Sequence, residues 1–279
     1  MLRNRAFHLL SWLPLTLCFA IALLAPVLAL AEPLTIAAGK PGGGYDRRAL
    51  QIEQRIEQRG VEAAVVNFAG SDEISLAVCA GRAQMGILQI DAIYARSLEG
   101  CQTKAVASYG TEFALLIFPP RSGFDELSDL GPGSAVLVDG IGSGSDLFWR
   151  TIVRIETGED GDGDEWASAR AVNDPVELAN ASAEMGEIHA VLLVRKSDAA
   201  DVQALLGQGW TLGELWDRDI DDLTFNGGPL YLSEKQKIML PGGKTSWAWT
   251  YGVRSFVAVT QKVAAGDRQL FAAITAAAQ

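Results

Sequence analysis

"LTIAAGKPGGGYDRRALQIEQRIEQRG", Leu34 to Gly60, is the stretch that decides the fold of this chain. Its apolar start, Leu34–Ala38, predicts a β-strand, and Asp46–Arg59 predicts an amphipathic α-helix. Three glycines, Gly42–Gly44, and Tyr45 lie between them. A glycine-rich turn after a strand can cradle a phosphate or form the wall of a pocket for a smaller ligand, and the rest of the chain decides between the two.

Strand and helix patterns alternate along most of the sequence. Further strands are predicted at Ala63–Phe68, Met85–Ile90, Phe113–Phe118, Ala135–Asp139, Ala190–Val194 and Phe256–Thr260. Further helices are predicted at Ser71–Ala80, Ser145–Glu156, Asp198–Leu206 and Gln269–Ala278. This order predicts an α/β protein with a parallel sheet covered by helices.

Two segments interrupt the alternation. Pro119-Pro120 ends a strand, because proline cannot continue a central strand, and a second alternating series follows it. The segment Asn226–Gly243 is rich in glycine and proline and is predicted to be irregular. We therefore expect two lobes, one of residues 32–118 plus 225–279 and one of residues 119–224.

The first 31 residues have the pattern of a secretory signal. Arg3 and Arg5 precede an uncharged apolar run that ends in the small-residue pattern Ala29-Leu30-Ala31, which predicts cleavage after Ala31 and export to the periplasm. An uncleaved membrane anchor is the alternative, because the apolar run is long enough to span a bilayer.

The charge of the mature chain argues against nucleic acid as a partner. Without Arg3 and Arg5 the chain has 21 basic and 34 acidic residues, a formal net charge of −13. Proteins that bind nucleic acid need basic patches to replace the counterions of the phosphates.

Two cysteines, Cys79 and Cys101, remain after cleavage. In an oxidising compartment an even pair predicts a disulfide, and two buried thiols are the alternative. Cys18 leaves with the signal and does not follow the cleavage site, so the sequence does not indicate a lipoprotein.

Motifs for catalysis and for cofactors are missing from the sequence. The glycines at 42–44 and 140–144 depart from the dinucleotide and P-loop spacings, and no nucleophile-elbow motif occurs. His189 is the one histidine of the mature chain, and its position before a strand favours a structural role. We therefore expect neither an enzyme nor a bound cofactor.

The acidic run Glu159–Glu165 partly matches a calcium-binding loop. Asp160, Asp162 and Asp164 match the first three ligand positions of an EF-hand, but the sixth position is Glu165 and the twelfth is Ala171. These positions require glycine and glutamate, so the run is predicted to be a solvated loop without a metal.

Two glycine-rich turns, Gly42–Tyr45 and Gly142–Ser145, each follow a strand and precede a helix. Such turns direct backbone N–H groups and the positive end of a helix towards one point, where a carboxylate binds as well as a phosphate. One turn in each half of the chain suggests two lobes that close on one ligand. Tight strand–helix turns without a ligand are the alternative.

Three stretches carry a resemblance to a known family. "LTIAAGKPGGGYDRRALQIEQRI", "VVNFAGSDEISLAVCAGRAQMGILQIDA" and "IFPPRSGFDELSDLGPGSAVLVDGIGSGSDLFWRTIV" resemble the TAXI-type solute-binding subunits of tripartite ATP-independent periplasmic (TRAP) transporters. The resemblance implies a two-lobed type II periplasmic binding protein fold, with a small carboxylate or an amino acid such as glutamate in the cleft. It also implies membrane permease subunits as partners.

The resemblance also implies which residues bind the solute. They are Gly43, Gly44, Tyr45, Gly70, Ser71, Gln89 and Asp91 in the first lobe and Gly142, Ser143, Gly144 and Ser145 in the second. A sensory subunit of a membrane receptor and an interaction protein that has lost its solute are the alternative functions.

Some residues depart from the family pattern. Asp46 stands where the family usually has an aromatic residue, and Arg47 and Arg48 follow it. In the first turn of a helix, these arginines are expected to point outward. Trp247, Trp249 and Tyr251 alternate at strand spacing, so they share one face. They are expected to pack at a hinge, and a wall of the pocket is the alternative.

Overall fold

The computed structural model describes residues 33–159, 161–240 and 242–279. The predicted signal, residues 1–31, lies outside them. In the described part of the chain, no helix is both long enough and apolar enough to cross a membrane.

Twelve strands and nine α-helices form the described structure. The strands are β1 (Leu34–Ala38), β2 (Ala63–Asn67), β3 (Met85–Gln89), β4 (Thr103–Phe118), β5 (Ala135–Leu137), β6 (Arg170–Val172), β7 (Ala190–Arg195), β8 (Thr211–Leu212), β9 (Thr224–Phe225), β10 (Gly228–Pro229), β11 (Leu232–Met239) and β12 (Thr245–Thr260). The helices are α1 (Gly44–Glu57), α2 (Ser71–Cys79), α3 (Ile90–Leu98), α4 (Gly144–Glu156), α5 (Ala179–Glu184), α6 (Ala200–Gly207), α7 (Arg218–Asp222), α8 (Gln261–Gly266) and α9 (Arg268–Ala278).

One sheet runs through both halves of the molecule, in the order β2-β1-β3-β12-β4-β7-β5-β6, with β11 beside β12 and β8 beside β4. At one end β1 pairs in parallel with β2 and β3, and at the other end β5 pairs in parallel with β6 and β7. Between them β4 and β12 are antiparallel to their neighbours. The two-lobed α/β architecture expected from the sequence is therefore confirmed.

The strands β4 and β12 join the two halves. Each has 16 residues, which is roughly 50 Å of extended chain. Each strand is therefore long enough to begin in one half and end in the other. Register shifts in their pairing at Ser255/Phe256 and Val257/Ala258 increase the local twist. Residues of both strands therefore lie between the lobes.

The predicted strands at 113–118 and 256–260 were correct but too short. The missing part of β4 has the polar sequence Thr103–Glu112, and the missing part of β12 contains exposed tryptophans. Neither part has the continuous apolar run of a buried strand. Thr103–Glu112 of β4 pairs with the last residues of β12, and the part of β12 with the tryptophans pairs with β11, so these backbones are stabilised by strand pairing rather than by burial on both faces.

Several further elements were missed, among them β11 and α3. The segment predicted to be irregular contains β11, which pairs with β12 along its full length. Helix α3 directly follows β3, where the sequence predicts no helix. Ile238 of β11 packs with Leu115 and Leu193, so we propose that the second lobe includes β11 in addition to residues 119–224.

The predicted disulfide is present between Cys79 and Cys101, whose Cα atoms are 5.9 Å apart. It connects the last residue of α2 to the loop that enters β4. The bridge therefore ties a helix that begins at the cleft to one of the two strands that join the lobes.

Candidate functional site

A cavity of about 640 Å³ lies between the two halves. The first half contributes the turns before α1 and α2 and the end of β3. The joining strands contribute Tyr109–Glu112 and Ser255, and the second half contributes Asp139, the turn before α4 and the residues that follow β7. Its volume suits a small organic molecule.

Most of the residues predicted to bind solute line this cleft. They are Gly43, Gly44, Tyr45, Gly70, Ser71, Gln89, Ser143 and Gly144. Because α1, α2 and α4 begin at Gly44, Ser71 and Gly144, three helix N-termini with their partial positive charges meet at the cavity.

Gly142 and Ser145 do not line the cavity, and each has a structural contact instead. The Ser145 hydroxyl is buried and accepts a hydrogen bond from Val194 N at 2.9 Å, which fixes α4 to β7. A Cβ atom at Gly70 would lie 2.2 Å from the Gly142 carbonyl oxygen. The turns of the two halves are therefore in direct backbone contact at these glycines.

Asp91 is also outside the cavity. It is fully buried, accepts hydrogen bonds from Ala92 N at 2.9 Å and from Tyr231 Oη at 3.3 Å, and lies one residue inside α3. Burial raises the pKa of its carboxyl to about 7. Its surroundings indicate a group inside the fold rather than a ligand contact.

The substitution Asp91→Asn is expected to stabilise the protein increasingly as the pH rises from 4 to 8. The folded state retains a proton on Asp91 up to about pH 7, whereas the unfolded chain releases it near pH 4, so the wild type loses stability in this interval. We expect a gain in Tm on the order of 5 °C at pH 8 and little at pH 4. Equal gains at both pH values would contradict this assignment, and the exposed Asp222→Asn is the control.

The two glycine turns are held by the same pattern of hydrogen bonds to an aspartate. Asp46 accepts hydrogen bonds from Gly42 N and from the Asn67 amide, both at 2.7 Å. In the other half, Asp146 accepts from Gly142 N at 2.9 Å and from the Asn173 amide at 2.8 Å. The acidic residue at position 46, where the family usually has an aromatic one, therefore holds the turn in shape.

Two residues of the joining strands, Glu112 and Ser255, are hydrogen-bonded to Tyr45 of the first lobe. Tyr45 Oη donates to Glu112 Oε2 at 3.1 Å and lies 2.7 Å from Ser255 Oγ, from which it accepts. Burial raises the pKa of the Glu112 carboxyl, and the bond from Tyr45 and the charge of Arg195 oppose that rise. Burial and Glu112 together raise the pKa of Tyr45 well above its ordinary value, so the phenol keeps its proton.

Gln89 supplies a free acceptor to the same cavity. Its side chain is buried, and its Oε1 atom has no hydrogen-bond partner among the described residues. Gly144 packs so closely on this amide that a Cβ atom there would lie 2.4 Å from Nε2. Buried acceptors are normally paired, so the arrangement is suited to a ligand that donates a hydrogen bond.

Four basic residues, Lys40, Arg47, Arg195 and Lys196, also line the cleft. Arg195 is fixed by Asp139 and by Asp201, to which its Nε donates at 3.0 Å. Arg47 donates to the Gly42 carbonyl. Arg47 is exposed, as expected for the first turn of a helix, and its side chain also lines the cavity.

The aromatic residues of β12 do not pack as one group. Tyr251 is fully buried beside Phe148 and Tyr231, whereas Trp247 and Trp249 are exposed at 51% and 42%. The expectation of packing is wrong for the tryptophans, because their side chains are largely exposed to solvent. His189 has the structural role expected, since its Nδ1 accepts from Ala135 N at 3.1 Å.

Sequence reasoning missed Glu112, Ser255 and Arg195. They come from strands whose neighbours are far away in the chain, so no local spacing marks them. The signal that could have been used is the repeated Gly-x-Gly-x-Asp pattern at 42–46 and 142–146, which places two equivalent turns in the two halves.

No protein-family model matches this chain, and no curated protein matches it. Solved structures do match over 88% of the chain. One is a protein from Bordetella bronchiseptica RB50, with 15% identity, 69% of its chain covered and a TM-score of 0.54. Another is the periplasmic sulfonate-binding protein SsuA of a putative ABC transporter from Methylobacillus flagellatus KT, with 14% identity, 67% covered and a TM-score of 0.53.

These likenesses concern the fold, because the sequence identities are low. The chain has the two-lobed α/β fold of periplasmic binding proteins.

Proposed function

We propose that this protein is a periplasmic solute-binding protein that captures a small anionic organic solute for the permease subunits of a TRAP-type transporter. The solute is a carboxylate or an amino acid such as glutamate, and no catalysis is involved. The observation that carries the proposal is a cleft lined by both halves in which donors and one unpaired buried acceptor face the same space.

The donors favour a carboxylate. Three helix N-termini and the guanidinium of Arg195 face the cavity, and both kinds of group bind carboxylates well. Arg195 is held in place by Asp139 and Asp201 before a ligand arrives, which reduces the entropy that is lost on binding.

The acceptors favour a ligand that also has an ammonium group. Gln89 Oε1 has no partner among the described residues, and Glu112 lies in the same cavity with one donor from Tyr45. An α-amino acid would present its carboxylate to the donors and its ammonium group to these acceptors. Among anionic solutes, we therefore propose an amino acid as the first choice.

The pH dependence of affinity separates the two solute classes. Below its raised pKa Glu112 is neutral, and above it Glu112 carries a negative charge. The affinity for an amino acid should therefore rise by about tenfold as the pH passes this pKa, because the carboxylate pairs with the ammonium group. The affinity for a carboxylate without an ammonium group should fall over the same interval.

Isothermal titration calorimetry between pH 4.5 and 8 checks this prediction. Glu112→Gln should remove the pH dependence of either class, and Glu57→Gln, at an exposed position of α1, should retain it. An unchanged pH profile in Glu112→Gln would exclude this carboxyl from the binding site.

A further inference from the structure

We propose a second binding site, for a calcium ion, formed by the carboxylates of Glu156, Asp164 and Asp217. None of these residues lines the solute cleft. Glu156 ends α4, Asp164 ends the acidic loop that follows it, and Asp217 precedes α7. The site is therefore assembled from three separate parts of the second half of the chain.

The spacing of the oxygens fits calcium. One carboxylate oxygen from each residue lies within 4.8 Å of the others. Ca–O distances of about 2.3–2.6 Å allow oxygens on opposite sides of the ion to be up to roughly 5 Å apart, which accommodates this spacing, whereas Mg²⁺ is usually held by one or two carboxylates and keeps several waters. Three carboxylates are hard, charged ligands of the kind that Ca²⁺ prefers.

Glu156 provides an independent observation that a cation is needed. Its side chain is 1% exposed. Its Oε1 accepts a hydrogen bond from Asp164 N, but its Oε2 is buried and has no partner among the described residues. A buried carboxylate oxygen among like charges is unfavourable unless a cation compensates it.

The other ligands are held in position by neighbouring groups. Asp217 Oδ1 accepts from Asp219 N at 2.8 Å and from Ile220 N at 3.1 Å, and its Oδ2 accepts from Trp166 Nε1 at 3.1 Å. The acidic loop is fixed to α7 by a bond of 2.7 Å from Asp162 N to Asp219 Oδ2. Such outer contacts orient the ligands of metal sites.

The site has access to solvent, and no basic side chain of the described residues forms an ion pair with its three carboxylates. Asp164 and Asp217 line a second cavity, of about 660 Å³. Among the described residues, Arg218 pairs with Asp162 and with Asp219 but with none of the three ligands. The proposed site differs from an EF-hand loop, because Asp164 is its one ligand from the acidic run and Glu156 and Asp217 are far apart in the sequence.

Terbium luminescence tests the proposal, because Trp166 donates to Asp217 and can transfer excitation to a bound Tb³⁺. The mature chain is freed of metal with a chelator and titrated with Tb³⁺ under tryptophan excitation. We expect emission that saturates at one ion per chain, is displaced by Ca²⁺ and is displaced at least tenfold less well by Mg²⁺. Glu156→Gln should weaken Tb³⁺ and Ca²⁺ binding at least tenfold. The matched control Glu159→Gln, at an exposed position of the same acidic run, should bind both as the wild type does.

Thermal unfolding gives a second measurement that does not depend on luminescence. Calcium should raise the Tm of the wild type and of Glu159→Gln but not that of Glu156→Gln. Without calcium, Glu156→Gln should be at least as stable as the wild type, because it lacks the uncompensated charge; this also shows that the variant folds. Absent or non-saturating emission, or equal effects of calcium on the Tm of both variants, would overturn the proposal. Equal displacement by Mg²⁺ would overturn the assignment of calcium.

Discussion

Replacing Gly70 with alanine is expected to abolish tight solute binding while the chain stays folded. The added Cβ atom would lie 2.2 Å from the Gly142 carbonyl oxygen and 2.9 Å from Ser143 Cα. Both are backbone atoms of the other half, so no side chain can move aside to make room. The φ angle of Gly70 is −174°, which alanine adopts without strain, so the effect comes from contact between the halves alone.

The substitution would also break the neighbouring contacts between the two halves. Asp72 N donates to the Gly142 carbonyl at 3.4 Å, and the Asp72 carboxylate pairs with Arg150 of the other half at 3.0 Å. With the halves held apart, the solute contacts only one of them at a time. We expect the affinity to fall at least a hundredfold, about 3 kcal/mol of binding free energy.

Calorimetry with the bound solute measures this loss, and small-angle scattering measures whether the halves move apart. Gly140→Ala is the matched control, because it lies at the same turn and a Cβ atom there meets nothing within 4 Å. An affinity within threefold of the wild type in Gly70→Ala would show that contact between the turns is not needed for binding.

Removal of the disulfide is expected to lower the free energy of unfolding by about 3 kcal/mol. The bridge connects Cys79 and Cys101, 22 positions apart, and without it the unfolded chain gains the freedom of an open loop. The double variant Cys79→Ala/Cys101→Ala should show this loss in urea unfolding. Because Gly70 and Cys79 lie at opposite ends of the α2 region, solute binding should also weaken when this end of the helix loosens.

The reduced wild-type protein is the control for the disulfide, because reduction breaks the bridge without substituting any residue. It should unfold at the same urea concentration as the double variant. A stability change below 1 kcal/mol in both would mean that the bridge does not constrain the unfolded chain.

The parts of the fold that local sequence determines could be predicted. The turn at Gly42–Gly44 and the helix after it have a glycine run and an apolar period that act within a few residues. The disulfide followed from an even pair of cysteines in a chain predicted to be exported. The first ten residues of β4 could not be predicted in this way, because their partner, β12, lies more than 140 positions away.

The same distinction applies to the cleft. The two backbone turns could be predicted because a run of glycines between a strand and a helix marks a tight turn without any information from distant residues. Glu112 and Ser255 could not, because they meet Tyr45 only when β4 and β12 pair between the lobes. Asp91 was carried over from the resemblance, and the structure places it inside the fold, where Tyr231 is its partner.

A thermal-shift screen of residues 32–279 is the most direct test of the proposed function. The wild type and Gly70→Ala are compared with amino acids, dicarboxylates, phosphate and sulfate as ligands. A solute that binds only the folded state raises its Tm. We predict a clear rise for the wild type with an acidic amino acid and little or none for Gly70→Ala. The same rise in both proteins, or no rise with any of these solutes, would contradict the account of a cleft that closes on an anionic solute.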